Sequence, residues 1–305
     1  MMERFDRFMA RANAAYYAEK TPFADFVTAP EISQVFGELL GGWAKILCQM
    51  MGLQTVQIVE AGPGSGALMA DALRVFTPAS VHFIEFSRRL REEQARRVPH
   101  ATWHESLATV PRVPTILIAN EFLDALPVRQ FVRRAEGWME RYVEAGLYVE
   151  VPVEIDLPDD PIGSVREVNE AATAFVRELA RRRAIALFID YGPEQSAAGE
   201  SVQAILNGKY ANPLAQPGSA DITAHVDFEA LARVANVQGP VKQNAFLTAL
   251  GLFQRTDFLA QKNPENAEKL HLAARRLTAP EAMGSLFKAL AICPPGFPPL
   301  PGFES

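Results

Sequence analysis

The stretch Val59-Glu60-Ala61-Gly62-Pro63-Gly64-Ser65-Gly66 constrains this chain more than any other. It follows the strand-like run Val56–Val59 and precedes the helix-like run Ala67–Leu73. An acidic residue closes the strand, and glycines at alternating positions form the turn. Glycine has no Cβ, so the backbone bends sharply there and a ligand approaches closely. The start of the following helix then directs amide N–H groups at that ligand. A strand, glycine-rich turn and helix in this order belong to a nucleotide-binding parallel α/β sheet.

The acid-x-Gly-x-Gly-x-Gly spacing is not the Gly-x-Gly-x-x-Gly of a dinucleotide turn. A dinucleotide places its pyrophosphate on the helix start, and Glu60 would repel that anion. S-adenosylmethionine instead carries an ammonium and a sulfonium, and a nearby carboxylate attracts both. S-adenosylmethionine is therefore the expected cofactor. The alternatives are a nicotinamide or flavin dinucleotide, or an ordinary tight strand–helix turn.

A chain of 305 residues that is 49% hydrophobic is long enough for one large domain or for a core with an insertion. Its net charge of −6 and pI near 5.5 give no basic stripe for nucleic acid. The arginine runs Ser87–Arg91 and Ala180–Arg183 fall in helical contexts and read as solvated faces or helix ends. Cys48 and Cys293 have no partners at metal-ligand spacing, so no metal site is expected, and two cysteines do not make a disulfide framework. The apolar run Leu39–Met51 contains Lys45 and is too short to span a bilayer. No signal peptide or presequence is read at Met1–Phe8. The expectation is a bacterial-type cytoplasmic protein with no membrane span.

Four segments are expected: an N-terminal helical segment over 1–54, a core over 55–192, an insertion or lid over 193–285, and a closing strand with tail over 286–305. Pro22 and Pro30 break the first segment. Thr28-Ala29-Pro30-Glu31 fits a capping box for a helix running through Ile32, Val35, Phe36, Leu39 and Leu40. Strands are expected at Val81–Phe86, Ala101–His104, Thr115–Ala119 and Ala184–Asp190. A hairpin over Arg129–Val143 turns at Glu136-Gly137, and an amphipathic helix covers Val165–Arg182. Residues 193–220 read as loop. Helices are expected at 227–236, 243–260 and 264–276, with a last strand at Phe287–Ile292. Strands alternating with helices predict a Rossmann-like parallel α/β sheet with right-handed crossovers.

Ligands of such sheets bind beyond the carboxyl ends of the strands. Glu60, Glu85, Asn120 and Asp190 all fall there. Glu85 lies roughly twenty residues beyond the turn, where an acid can hold both ribose hydroxyls. Glu121 and Asp124 follow Asn120 in the place where many methyltransferases bind their acceptor. Paired carboxylates can hold an arginine guanidinium bidentately. Glu121 as an exposed residue and Asp124 as a turn cap is the plainer reading.

Together, Asp25–Glu38, Val59–Gly66, Asn120–Phe131, Ile189–Gly192, Asp221–Phe228 and Gln243–Gly251 make the chain resemble the MidA family of S-adenosylmethionine-dependent methyltransferases. Mitochondrial members of that family methylate arginine in a core subunit of respiratory complex I. The resemblance implies a seven-stranded methyltransferase sheet, an N-terminal helical segment and an inserted subdomain. It also implies a protein substrate, with a complex I subunit as its type. Thr28, Pro30 and Gln34 would then lie over the cofactor with Gly62, Gly64 and Gly66. His225, between Asp221 and Asp227, would orient substrate or accept a proton, or serve structurally. The chain departs from the family pattern at Ser65, where arginine is common, and at Pro193, where histidine is usual. A homodimer through the apolar stretches near 36–51 and 246–259 is open. The competing functions are a non-catalytic assembly protein that keeps the fold and an NAD(P)-dependent oxidoreductase.

Overall fold

The structure, a computed structural model, describes residues 2–20 and 27–304. Pro22 and the Asp25-Phe26 start of the first family-like segment lie outside them. The chain begins with a two-residue strand, β1 (Glu3–Arg4), and helix α1 (Phe5–Glu19). Phe5, Phe8, Met9, Ala12 and Tyr16 recur at helical spacing, and α1 buries that stripe.

A short helix, α2 (Ala29–Ile32), precedes α3 (Gln34–Met50), where one continuous helix was expected. Thr28 occupies the N-cap position of α2 with an extended backbone, but its side chain makes no capping hydrogen bond. Glu31 does not complete a capping box either; its carboxylate accepts from the Ser65 hydroxyl. The break falls at Ser33, which is extended at φ −152° and ψ 127°. The Ser33 Oγ accepts the Val35 N–H at 3.2 Å, so a hydroxyl competing for backbone restarts the helix there.

Then come β2 (Gln57–Ala61), α4 (Ala67–Ala72), β3 (Ser80–Ile84), α5 (Arg88–Arg97), β4 (Thr102–His104) and β5 (Thr115–Asn120). Every residue of β2 and β5 is buried, as suits strands covered on both faces. The hairpin forms as expected, from β6 (Arg129–Arg134) and β7 (Gly137–Glu144), and β8 (Leu147–Pro152) pairs with β7. The expected helix from Val165 begins later. Residues Val165–Val168 are a strand, β9, paired antiparallel with β6. Asn169 then accepts the Ala172 N–H at 2.8 Å and starts α6 (Glu170–Arg181).

After β10 (Ile185–Tyr191), the stretch expected as loop contains β11 (Gln203–Leu206) and β12 (Lys209–Ala211), which form a small sheet with β13 (Asp221–Thr223). Helix α7 (Phe228–Ala232) is followed by an unforeseen strand, β14 (Val237–Lys242). Gly239 and Pro240 obscure that strand in the sequence. They sit where the register shifts between Gln238 and Val241, on the sheet's edge strand, a position that tolerates proline. The helix expected over 243–260 is divided into α8 (Gln243–Ala249) and α9 (Leu252–Lys262) at Gly251, which has φ +90°. Helix α10 (Ala267–Thr278) and the closing strand β15 (Phe287–Ile292) complete the chain.

Seven strands form one sheet in the order β14-β15-β10-β5-β2-β3-β4. Strands β10, β5, β2, β3 and β4 run parallel, and β15 inserts antiparallel between β10 and β14. The seven-stranded α/β fold is thus the one expected, with its closing strand where Phe287–Ile292 put it. The chain divides into two compact units whose limits differ from the linear boundaries at 54, 192 and 285. Residues 27–122, 176–192 and 235–305 make the sheet unit, which includes α8, α9 and α10. Its core gathers Phe36, Trp43, Leu47, Ile58, Phe83, Ile118 and Phe246.

The other unit holds α1, β6 to β9, β11 to β13 and α7. Phe5, Phe8 and Met9 of α1 pack there with Val128, Val143, Ala204 and Ile222. Asn13, only 4% exposed, joins two distant segments of this unit. Its Nδ2 donates to the carbonyls of Ala125 (3.1 Å) and Ile222 (2.8 Å), and its Oδ1 accepts the Ile222 N–H at 3.0 Å. Replacing Asn13 with leucine leaves three backbone groups without partners, the two of Ile222 buried. A loss on the order of 3 kcal/mol is expected. A urea titration followed by circular dichroism checks this, and an unchanged midpoint would contradict it.

Candidate active site

The glycine turn begins at the carboxyl end of β2, the middle of the parallel strands. Gly62, Gly64 and Gly66 have φ of +66°, +54° and +82°, a region side chains rarely adopt. Space matters as well at Gly62, where a Cβ would sit 2.9 Å from Phe122. Gly66 is the N-cap of α4, so the turn delivers the chain directly into that helix.

Glu60 lies below this turn and is 3% exposed. Its carboxylate accepts the backbone N–H of Met69 in α4, while its Oε2 has no hydrogen-bond partner among the described residues. Burial pushes its pKa well above the usual carboxylate range, and the Met69 bond only partly offsets that.

Glu85 follows the end of β3 and is 6% exposed. Its Oε1 accepts the Ser87 N–H at 2.8 Å and its Oε2 accepts Gln94 Nε2 at 3.2 Å. Burial raises its pKa too, against these hydrogen bonds. Gln94 is a residue that sequence reasoning missed. Fully buried on α5, it donates to the Gly64 carbonyl at 2.9 Å as well as to Glu85, and it accepts Trp103 Nε1 at 2.8 Å. It ties the glycine turn to the carboxylate at the next strand end. The available signal was its place four residues after Leu90, the buried face of an otherwise charged helix.

Asn120 ends β5 and is 8% exposed. Its Nδ2 donates to Glu121 Oε1 at 3.0 Å, and its Oδ1 has no hydrogen-bond partner among the described residues. Glu121 has φ +51°. Its N–H donates to the Ile189 carbonyl at 2.9 Å, and its Oε1 also accepts the Ala29 N–H at 3.4 Å. Asp190, 1% exposed, accepts the N–H groups of Phe122 (3.2 Å) and Tyr191 (2.9 Å), so it shapes the strand ends. In the segment expected over the cofactor, a strap around α2, Thr28 and Pro30 flank the start of that helix, while Gln34 donates to Glu38 at 3.2 Å within α3.

Asp124 and His225 belong to the other unit. Residues 121–126 form bends and turns, and the boundary between units falls after Phe122. Asp124 is 5% exposed, and its carbonyl accepts the Ala224 N–H at 2.9 Å. Asp221, 3% exposed, accepts the Tyr17 hydroxyl at 2.9 Å. Burial and the charges of Asp221 and Asp124 raise the Tyr17 pKa, which keeps that hydroxyl protonated as a donor. His225 is exposed, and its N–H donates to Ser201 Oγ at 2.8 Å. Asp227 caps α7 through Ala230 N–H and also accepts the Ser196 hydroxyl.

Residues 39–246 match the profile of an S-adenosyl-L-methionine-dependent methyltransferase family, the MidA-like group. The chain belongs to this family. It is 33% identical to the human mitochondrial protein arginine methyltransferase NDUFAF7, covering 88% of this chain and 74% of that protein. The Drosophila melanogaster homolog is 32% identical over 94% of this chain and 79% of its own length. A COG1565 superfamily member from Burkholderia thailandensis, solved with S-adenosyl-homocysteine, superimposes with a TM-score of 0.83 at 25% identity. That match covers 100% of this chain and 89% of the other.

The chain is therefore an S-adenosylmethionine-dependent methyltransferase, and the dinucleotide alternative is set aside. The residues fit such a cofactor. The glycine turn leaves a side-chain-free cradle, and Glu60 and Asn120 each carry a buried oxygen with hydrogen-bonding capacity to spare. When bound, the cofactor supplies a methyl group activated on a sulfonium. Among the described residues no helix is long and apolar enough to cross a membrane.

The raised pKa of Glu60 has a defined sign. A carboxyl whose folded pKa exceeds its unfolded value contributes stability below the unfolded value, near 4.5, and loses it as pH rises through the folded value. In the ligand-free protein, Glu60→Gln is therefore expected to be more stable than wild type at neutral pH. That advantage should vanish below about pH 4. Thermal melting from about pH 3 to about pH 8 checks it, and a gap that does not depend on pH would refute the buried-carboxyl account.

Proposed function

We propose that this methyltransferase modifies an arginine side-chain nitrogen in a protein substrate. The observation that carries this reading is the relationship, over 88% of the chain, to proteins named as protein arginine methyltransferases. The residue chemistry supports it. A guanidinium has a pKa above about 12 and enters a site as a planar cation. A buried carboxylate can hold and orient it through charge-assisted hydrogen bonds.

Asp124 is the carboxylate assigned to the acceptor. His225, exposed, is assigned to carry away the displaced proton. Glu60, Gly62, Gly64, Gly66, Glu85 and Asn120 are assigned to the cofactor, with Thr28, Pro30 and Gln34 of the strap. Glu121 joins that group rather than the acceptor pair, because Asn120 and Ala29 already engage its carboxylate. A complex I subunit, the substrate type the family resemblance implies, is the first acceptor to try.

The test uses methyl-labelled cofactor, the purified chain and a candidate protein, followed by acid hydrolysis and amino-acid analysis. Label is expected in methylarginine. Asp124→Asn should lower kcat/KM for the acceptor on the order of 100-fold. Its affinity for S-adenosylhomocysteine should stay within about twofold of wild type. Label in another amino acid, or an Asp124→Asn enzyme with full activity, would overturn the assignment.

A further inference from the structure

Besides the packing of Ala29 in the core and of Ile32 against it, the strap around α2 is tied by hydrogen bonds at two places within the sheet unit. At its start, the Ala29 N–H meets Glu121 Oε1 at 3.4 Å, beside the carboxyl end of β5. In its middle, Glu31 accepts the hydroxyl of Ser65, inside the turn at the carboxyl end of β2. Strands β2 and β5 are parallel neighbours, with Ala61 opposite Ala119. Both tethers thus end where an open α/β sheet binds its ligand.

We propose that Glu31 is a positioning residue for the cofactor: through Ser65 it latches the α2 strap to the glycine turn, and this latch governs how fast cofactor and product leave. Ser65 is 2% exposed, so its hydroxyl donates to a carboxylate in a site largely withdrawn from water. The Glu31 side chain is only 26% accessible. A charge-assisted hydrogen bond to a buried hydroxyl holds more firmly than an exposed ion pair. The second partner of Glu31, Arg97, lies 3.9 Å away with 41% of its side chain accessible, so it contributes little. Neither end of α2 relies on its own side chains: Thr28 makes no capping bond, and Ser33 serves the next helix. The strap consequently depends on tethers from outside itself. Losing the Ser65 tether frees its middle while the sheet and glycine turn stay in place.

The experiment is stopped-flow displacement of S-adenosylhomocysteine from the full chain. Glu31→Ala and Ser65→Ala are each expected to raise the dissociation rate about tenfold. The double variant should exceed neither single by more than about twofold, because both remove one interaction. Ser65→Thr keeps the hydroxyl and Arg97→Ala removes only the weak pair, so both should stay within about twofold of wild type. Unchanged dissociation in Glu31→Ala and Ser65→Ala overturns the proposal. So does a double variant whose effect is the product of the two singles. Should Glu31→Ala fail to fold, the contrast between Ser65→Ala and Ser65→Thr still decides. The acceptor plays no part in this measurement, so its outcome is independent of the arginine assignment.

Discussion

The left-handed backbone of the glycine turn is the constraint on which the sheet unit's chemistry depends. Three residues between β2 and α4 hold positive φ, and the turn packs against what surrounds it. Phe122, after β5, occupies the space a Cβ at Gly62 would need. Gln94 of α5 reaches the Gly64 carbonyl. Glu60 supports α4 from below by accepting the Met69 N–H. A Cβ at Gly62 would crowd Phe122 beyond β5, and one at Gly66 would press on Gln94 of α5. Around the turn, the strand ends carry Glu60, Glu85, Asn120 and Asp190.

That organisation also explains the electrostatics. Glu60 and Glu85 are nearly buried, and for both desolvation is the largest influence, acting against ionisation. Hydrogen bonds from Met69, Ser87 and Gln94 recover part of that cost, and at Glu85 the charge of Arg91 adds a smaller share. A ligand with cationic groups favours the ionised forms, whereas a diphosphate would add to the cost. The acid-x-Gly-x-Gly-x-Gly turn thus suits a cationic ligand. Glu60 shares its carboxylate with the helix start, so its charge is partly committed to the fold.

The parts legible in the sequence were those set by dense local signals. Strands β2, β5, β10 and β15 are short apolar runs bounded by turn residues. The glycine turn has few structural alternatives. The strand-end acids follow from the topology once the strands are placed. What escaped was decided by partners far along the chain. Val165–Val168 continues the helical pattern, yet it forms a strand because β6 offers an edge and Asn169 caps the helix that follows. Val237–Lys242 contains a Gly-Pro that argues against a strand, and only its place at the sheet edge permits one. The span 193–285 enters both compact units, since α8, α9 and α10 join the sheet unit. The capping box at Thr28 matched its motif, but a buried serine from the glycine turn competes better for Glu31 than the start of its own helix does.

Glu121 brings these threads together. A non-glycine residue in the left-handed region costs roughly 1–2 kcal/mol, and nothing in the local sequence relieves it. The conformation persists because neighbours fix both its backbone and its side chain. Ile189 takes its N–H, and Asn120 and Ala29 both donate to its carboxylate. Released from that region, the residue would carry its carboxylate away from the end of β5 and from the start of the strap. The strain is therefore tied to one outcome, a carboxylate held between the last residue of a core strand and the first N–H of α2. Arginine recognition needs a carboxylate free to receive a guanidinium edge-on. The carboxylate of Glu121 is instead engaged by Asn120 and by the Ala29 N–H at the start of α2.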